Sequence, residues 1–394
     1  MRVTTVDDGR MRELEIDWVR AVDLALLPGG PLRLAFQPIV DLRRGVVAGY
    51  EVLARFDLDD HPRAPLPWLA AATQQGRLGE LERSIAALAL SSRRLLPQNT
   101  FMSLNLSAGV LAEVETTRLF TAAGDLRGLV VELTEHDRVL DYDALNVALA
   151  PTLAAGAMLA VDDAGAGYAS LGHVLALRPS FVKLDRSLVT DLDREPSRHA
   201  AVAAIGALAG ELDGWLVAEG IERQGELDAL VDLGVPLGQG WHLGRPELDM
   251  RPAPRDVAVA LQARTDQGDA YRPVGPLVQE VQVRPLSPSQ QRELARRAAV
   301  GPAGVPEPAI LVDDLGAPVA LEVGGRLAPG TRPMRVMPED SLPDVALRAA
   351  GRPAPERLLP LICCDELGRP LGLLSVDRIA HALGRADDAG GAAS

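Results

Sequence analysis

Short apolar runs alternate with helical segments between about Leu32 and Arg245. This alternation is typical of an α/β fold with a mainly parallel sheet. Eight strand-like runs in roughly 215 residues favour a (β/α)8 barrel of the TIM type over an open sheet. The runs are RLAFQPI, VVAGYEVL, FMSLNL, GLVVELT, AMLAVDD, FVKLD, GWLVAEG and VPLGQG.

Polar residues stand at the ends of these predicted strands. The catalytic groups of a (β/α)8 barrel lie where its strands end, so we expect these polar side chains to converge on one rim. They are Glu51, Asn105, Glu132, Asp162, Asp163, Lys183, Glu219 and Gln239.

The segment LAVDDAGAGYASL places Asp162 and Asp163 side by side at the end of an apolar run. One interpretation is structural, because an aspartate after a strand caps the next helix and Gly165 and Gly167 serve the turn. The other is a metal site in which one carboxylate bridges two cations and its neighbour holds the second. Bound cations would then offset the repulsion between the two aspartates, so that placing the two carboxylates side by side becomes favourable.

The wider set supports the second interpretation. Four carboxylates and an amide at successive strand ends form an all-oxygen ligand set, which Mg²⁺ and Mn²⁺ prefer. Two such ions about 3.5–4 Å apart hold the attacking water and the phosphate oxygens of an in-line displacement. The pattern therefore predicts two Mg²⁺ or Mn²⁺ ions and phosphodiester hydrolysis. The predicted ligands are Glu51, Asn105, Glu132, Asp162 and Asp163.

Further residues near the rim have two interpretations each. Lys183 is expected to orient or deprotonate the water, and the alternative is a salt bridge to a neighbouring acid. Glu219 is a candidate metal ligand or general base, or else a cap. Arg55 suits bidentate binding of a phosphate, or a structural ion pair. Gln37 and Gln239 are candidate substrate contacts, or buried amides bonded to the backbone.

Composition and charge narrow the function classes. The chain has 394 residues, 47% of them hydrophobic, and a formal net charge of −14. This charge argues against binding nucleic-acid polymers or anionic membranes, while a small anionic substrate remains compatible if metal ions neutralise it. The N-terminus lacks the apolar core of a signal peptide, and no run reaches the roughly 18 apolar residues of a membrane span. We therefore expect a cytoplasmic protein.

The character of the chain changes after Pro246. A short helix and a Pro/Gly-marked linker lead into a weak internal repeat, in which DDLGAP at Asp313 matches DELGRP at Asp365. We therefore expect two copies of a small α/β unit packed as a pair. The predicted divisions are a barrel domain at 1–250, a helix and linker at 251–275, the paired module at 276–385 and a flexible tail at 386–394.

Residues 30–248 resemble the EAL-domain cyclic di-GMP phosphodiesterases. The matching segments are FQPIVDL, YEVLAR, NLS, VVELTE, VDDAGAGYASL, VKLD, VAEGIE and GQGWHLGRP. The resemblance implies a (β/α)8-type barrel whose first strand runs antiparallel, and hydrolysis of one bond of cyclic di-GMP to linear pGpG. Ala164 replaces the family's usual Phe, and Trp241 replaces a usual Tyr.

The resemblance also implies a role for each matching residue. Glu51, Asn105, Glu132 and Asp162 match the ligands of the first metal, and Asp162 and Asp163 match those of the second. Lys183 and Glu219 match residues that position or activate the water, and Gln239 matches a further active-site residue. Arg55, Arg245 and Pro246 match substrate contacts. Glu135 matches a residue that steadies the loop after Asp163, a loop tied in the family to dimerisation, so a homodimer is expected.

Two further expectations concern the C-terminal pair and an alternative function of the barrel. The C-terminal pair resembles a tandem of CBS domains, a type that often binds adenine nucleotides, although Arg378 stands where the family has its ribose-binding Asp. A nucleotide at this module is therefore a weaker expectation than dimerisation or regulation. The alternative function is a catalytically weak or inactive cyclic di-GMP receptor on the same barrel, and Ala164 keeps it open.

Overall fold

The computed structural model describes residues 2–7, 10–15, 17–133, 141–164, 168–212, 214–267, 273–286, 308–313, 316–323, 326–328, 333–338, 340–352, 356–365 and 368–382. The chain forms two compact units. Met1–Ala209 and Gly214–Leu261 form the first, and Gly210–Asp213 and Gln262–Ser394 form the second. Within the described residues, no helix is long and apolar enough to cross a membrane.

The strands are β1 (Arg2–Asp7), β2 (Arg10–Glu15), β3 (Leu32–Asp41), β4 (Val46–Phe56), β5 (Phe101–Leu106), β6 (Leu129–Leu133), β7 (Met158–Ala164), β8 (Phe181–Leu184), β9 (Trp215–Ala218), β10 (Leu237–Gly238), β11 (Gln282–Pro285), β12 (Ala309–Val312), β13 (Pro318–Val323), β14 (Arg326–Leu327), β15 (Arg335–Val336), β16 (Leu361–Cys364) and β17 (Pro370–Leu374).

The helices of the first unit are α1 (Trp18–Ala25), α2 (Pro65–Gln74), α3 (Leu78–Ser92), α4 (Ala108–Leu111), α5 (Val114–Ala122), α6 (Tyr142–Ala154), α7 (Tyr168–Leu177), α8 (Arg186–Val189), α9 (Pro196–Glu211), α10 (Gln224–Asp232) and α11 (Arg255–Gln267), with a 3-10 turn at Arg93–Leu95. The second unit has a 3-10 turn at Gly275–Leu277 and helices at Leu342–Gly351 and 376–382.

Strands β3 to β10 close into one barrel in the order β10-β3-β4-β5-β6-β7-β8-β9. β3 pairs antiparallel with β4 and β10, and the other neighbours are parallel. A tight turn causes the reversal: the Asp41 carboxylate accepts hydrogen bonds from the amides of Arg43 and Arg44, and Gly45 takes a φ of 64°. The predicted barrel with an antiparallel first strand is confirmed.

The barrel interior has an apolar layer beneath a polar layer. Because side chains alternate along a strand, the residue two positions beyond an inward apolar residue also faces inward. The apolar layer consists of Ile39, Phe101, Val130, Ala160, Phe181, Val217 and Leu237. The polar layer consists of Gln37, Glu51, Asn105, Glu132, Asp162 and Lys183 on β3 to β8, and of Glu219 and Gln239 directly after β9 and β10.

The second unit contains the same strand arrangement twice. β11 pairs parallel with β12, which turns back into antiparallel β13, and β15, β16 and β17 repeat this order. In each hairpin an aspartate, Asp313 or Asp365, accepts a hydrogen bond from the backbone amide four residues later. The repeated sequence therefore corresponds to repeated geometry, while the assignment to tandem CBS domains stays a prediction.

The two copies share one apolar core. Ile310, Val312 and Leu321 of the first copy pack with their counterparts Ile362, Cys364 and Leu373 of the second. The predicted linker is divided between the units: Leu261 belongs to the first, and Val274 is fully buried in the core of the second. The predicted division at 250, 275 and 385 stays a prediction, and residues 383–394 lie outside the described part.

The position of α11 leads to a prediction about truncation. A chain ending at Gln267 keeps the buried side chains of Val257 and Leu261, so we expect it to fold cooperatively. A chain ending at Pro254 loses both side chains, and its melting temperature should be lower by roughly 5–10 °C. Calorimetry of the two chains tests this, and equal melting temperatures would show that α11 contributes nothing to the barrel.

Candidate active site

The Lys183 ammonium lies among four carboxylates of the polar layer. Its Nζ is 2.5 Å from Glu219 Oε1 and 2.8 Å from Glu132 Oε2. It is 3.4 Å from Asp162 Oδ1 and 3.9 Å from Glu51 Oε2. Strands β4, β6, β7 and β8 and the residue directly after β9 thus bring five charged groups together; Glu51 lies within β4 rather than at its end.

Burial and charge perturb the acids and the base of this cluster. Burial alone lowers the pKa of Lys183, but the surrounding carboxylates outweigh it and hold that pKa well above its ordinary value. Burial raises the pKa of Glu132 to about 7 against the opposing effect of Lys183. Burial also raises the pKa of Glu219 well above its ordinary value. Protons and cations therefore compete for these carboxylates.

Amide side chains orient Glu51 from both sides. Asn105 Nδ2 donates to Glu51 Oε1 at 2.7 Å, and Gln239 Nε2 donates to Glu51 Oε2 at 2.5 Å. Gln239 Nε2 also donates to Gln37 Oε1, and Gln37 Nε2 donates to the carbonyl of Gly244. The network joins a candidate metal ligand to the loop that carries the predicted substrate contacts.

A β-bulge explains the adjacent aspartates. The pairing of β7 with β8 shifts between Val161 and Ala164, and Asp163 takes a φ of 54°. This left-handed conformation is strained for most residues but tolerated by Asp and Asn. In a regular strand Asp163 would face away from Asp162, whereas here one oxygen each of Asp162, Asp163 and Glu219 lies within 4.8 Å of the others.

These oxygens suit a hard cation. All three groups are carboxylates, and together with Glu51, Asn105 and Glu132 they offer only oxygen ligands near Lys183. Mg²⁺, Mn²⁺ and Ca²⁺ prefer oxygen ligands. The Gln239 Oε1 atom is buried and has no hydrogen-bond partner among the described residues, so the polar layer has unused acceptor capacity.

The predicted substrate contacts all lie within the described residues, with Gln37 inside the polar layer and the other three outside it. Arg55 is half-buried on β4, where burial lowers its pKa and the charge of Glu51 partly opposes that. The Arg245 guanidinium stacks on the Trp241 ring at 4.1 Å, and that ring is 53% exposed. Pro246 is half-buried and follows directly.

Part of the predicted loop cannot be placed. Glu135 and residues 165–167 lie outside the described residues. The proposed link between Glu135 and the loop after Asp163 therefore stays a prediction.

The composition of the chain carries a signal for Lys183. Lys183 is the only lysine in the chain, although lysine and arginine together number 40. All other positions with a permanently positive side chain carry arginine. The choice of lysine at position 183 alone is thus a sequence signal for a special site. No comparable signal marks the bulge at Asp163.

The fold and this cluster define a barrel protein whose acidic strand ends are suited to divalent cations. Residues 20–246 match the family model described as the EAL domain. Because this match covers more than half of the chain, the chain belongs to the EAL-domain family.

Curated relatives come from the same family. MucR of Pseudomonas aeruginosa, a bifunctional diguanylate cyclase/cyclic di-GMP phosphodiesterase, is 32% identical over 225 residues, which cover 55% of this chain and 33% of MucR. The chain spans about a third of the length of the first curated relatives it matches.

Solved structures show the same barrel. The PaMucR phosphodiesterase in complex with c-di-GMP superposes with a TM-score of 0.54 at 29% identity, covering 59% of this chain and 98% of that one. The manganese/c-di-GMP complex of BlrP1 from Klebsiella pneumoniae gives 0.52 at 27% identity, covering 58% and 59%. The BlrP1 structure contains divalent metal and c-di-GMP together, and the MucR structure contains c-di-GMP.

The raised pKa of Glu132 predicts a pH-dependent stability. Its pKa moves from an ordinary 4.5 to about 7 in the folded protein, so the folded state keeps a proton that the unfolded chain loses. This contribution to stability is complete below pH 4.5 and is lost as the pH rises through about 7. With a chelator present, the wild-type protein should lose stability over this range relative to Glu132→Gln.

Thermal unfolding of both proteins from about pH 4.5 to 8 measures the difference. Glu115→Gln, which changes an exposed glutamate, is the matched control and should follow the wild type. Parallel curves for wild type and Glu132→Gln would contradict the raised pKa.

Proposed function

We propose that this protein is a metal-dependent phosphodiesterase that hydrolyses cyclic di-GMP to linear pGpG. The observation that carries the proposal is the group of four carboxylates around Lys183, on a barrel of the EAL-domain family. In this reaction a water oxygen bonds to phosphorus and one P–O3′ bond breaks. The proton lost by the water balances the proton gained by the leaving 3′-oxygen.

The ligand assignment rests on the family resemblance and is supported by the clustering of these side chains around Lys183. Glu51, Asn105, Glu132 and Asp162 are proposed to hold one Mg²⁺ or Mn²⁺ ion, and Asp162 with Asp163 a second. Glu219 offers a further oxygen close to the second group. Such ions lower the pKa of a water and offset phosphate charge.

Lys183 and Glu219 are proposed to handle the protons. Glu219 contacts Lys183 and burial raises its pKa, and a perturbed pKa of this kind is typical of a general acid or base. Lys183 keeps its charge, so it is suited to orient the water and to stabilise negative charge as the P–O bond breaks.

The substrate is proposed to bind at the edge formed by Arg55 and the loop at Gly244–Pro246. The guanidinium groups of Arg55 and Arg245 suit bidentate contacts with phosphate oxygens. Gln37 supports the position of this loop through the Gly244 carbonyl, and Gln239 connects it to Glu51.

A receptor that binds cyclic di-GMP without hydrolysing it is the second candidate. Ala164 favours it, because this residue is buried within the bulge that positions Asp163, where the family usually has a ring. The cytoplasmic location, the homodimer and a nucleotide at the C-terminal module are likewise predictions from the sequence.

Purified protein with cyclic di-GMP and Mg²⁺ should yield pGpG on chromatography, and a chelator should stop the reaction. Lys183→Arg should lower turnover by about 100-fold or more, because a planar guanidinium is too large for the space of an ammonium and cannot direct its donors in the same way. Arg194→Lys, an exposed exchange of the same two residue types, should leave turnover unchanged. Binding of the substrate without pGpG would favour the receptor.

The bulge allows a test of charge without a change of backbone. Asp163→Asn keeps a residue that tolerates the left-handed conformation, so only the charge is lost. Hydrolysis in Mg²⁺ should fall by about 100-fold or more, the scale of losing one preorganised electrostatic group. Binding of cyclic di-GMP in Ca²⁺, measured by calorimetry, should persist.

Asp143→Asn, on the exposed side of α6, is the control and should retain full activity. Full activity of Asp163→Asn would return the second aspartate to a structural role.

A further inference from the structure

A buried carboxylate lies directly behind the end of β5. Glu82 is on α3 and is only 7% exposed, although its helix carries an exposed glutamate two residues earlier. Burying a carboxylate costs free energy unless hydrogen bonds satisfy it. The contacts made by Glu82 therefore require an explanation.

Ser107 supplies these contacts. Its backbone amide donates to Glu82 Oε2 at 3.0 Å, and its hydroxyl lies 2.6 Å from Oε1 and 2.7 Å from Oε2. Ser107 is the N-cap of α4, yet its hydroxyl makes no capping bond to that helix. The hydroxyl instead fixes the chain to Glu82.

The fixed point is two residues beyond Asn105. Asn105 donates from Nδ2 to Glu51 at 2.7 Å, which leaves its Oδ1 as the atom that can face a cation. A shift of the β5 end would move Asn105 relative to Glu51. It would change the positions of Asn105 Oδ1 and Glu51 Oε1 together, because the hydrogen bond links the two side chains. A continuous path of hydrogen bonds and backbone thus runs from α3 to the polar layer. It passes through Glu82, Ser107, Asn105 and Glu51.

We propose that Glu82 is a positioning residue for the metal site, acting through Ser107 to hold Asn105 against Glu51. This inference rests on the proposed function, because it assigns Asn105 to a cation. Groups of this kind, which hold the ligands rather than the ion, typically affect metal affinity by 10- to 100-fold.

Calorimetric titration of the protein with Mn²⁺ alone tests the proposal without reference to turnover. Glu82→Gln, which keeps the shape but removes the charge, should raise the Mn²⁺ dissociation constant about tenfold. Ser107→Ala should also raise the Mn²⁺ dissociation constant. In both variants, excess Mn²⁺ should restore much of the hydrolysis. Glu80→Gln, two residues earlier and paired with Arg77 at the surface, should leave the constant unchanged.

A double-mutant cycle separates positioning from general stability. If Glu82 acts through Asn105, then Glu82→Gln should have little further effect on Mn²⁺ affinity in an Asn105→Ala background. Melting temperatures of the variants establish that each is folded during the titration. If Glu82→Gln is too unstable, Ser107→Ala carries the same cycle.

The outcomes distinguish the two proposals. Tight Mn²⁺ binding by the wild type with the same constant in folded Glu82→Gln overturns the positioning role alone. An additive effect of Glu82→Gln and Asn105→Ala does so as well. A wild type that binds no Mn²⁺ overturns the metal site and the positioning role together.

Discussion

The contact between one buried ammonium and four carboxylates, of which Glu51 and Glu132 are buried, is the constraint on which this barrel depends. Removing any of these groups from water is costly, and the attraction of Lys183 for several acids offsets that cost. The acids outnumber the base, so the raised pKa values of Glu132 and Glu219 follow from burial that one cation cannot compensate. A site of this kind gains from additional positive charge, which is the physical basis of its fit to divalent metal.

The apolar layer of the barrel interior stabilises the fold that holds these charged side chains together. Large apolar side chains such as Phe101 and Phe181 fill the layer below the polar one. Gly49 leaves room for the Phe101 ring, which a side chain at that position would overlap. The bulge at Asp163 then adds one carboxylate that the regular alternation of β7 would direct elsewhere.

The sequence predicts the barrel and the members of the cluster because both depend on strand periodicity and on polar residues that end apolar runs. It does not predict the geometry that a bulge or a remote side chain creates. The left-handed φ of Asp163 follows from a register shift against β8, which is a property of two strands. The burial of Glu82 depends on how α3 packs behind β5, because the local sequence resembles that of an exposed helix.

The use of lysine at a single position follows from the geometry of the cluster. Elsewhere the chain pairs its acids with arginine, as where Arg223 binds Asp193, and a planar guanidinium suits one or two carboxylates in its own plane. At position 183 the acids approach from four different strands, and only a compact ammonium with three rotatable donors reaches them all from a space that excludes water. An exchange between lysine and arginine, which we expect to be neutral at the surface, would therefore change the charge geometry of the barrel at position 183.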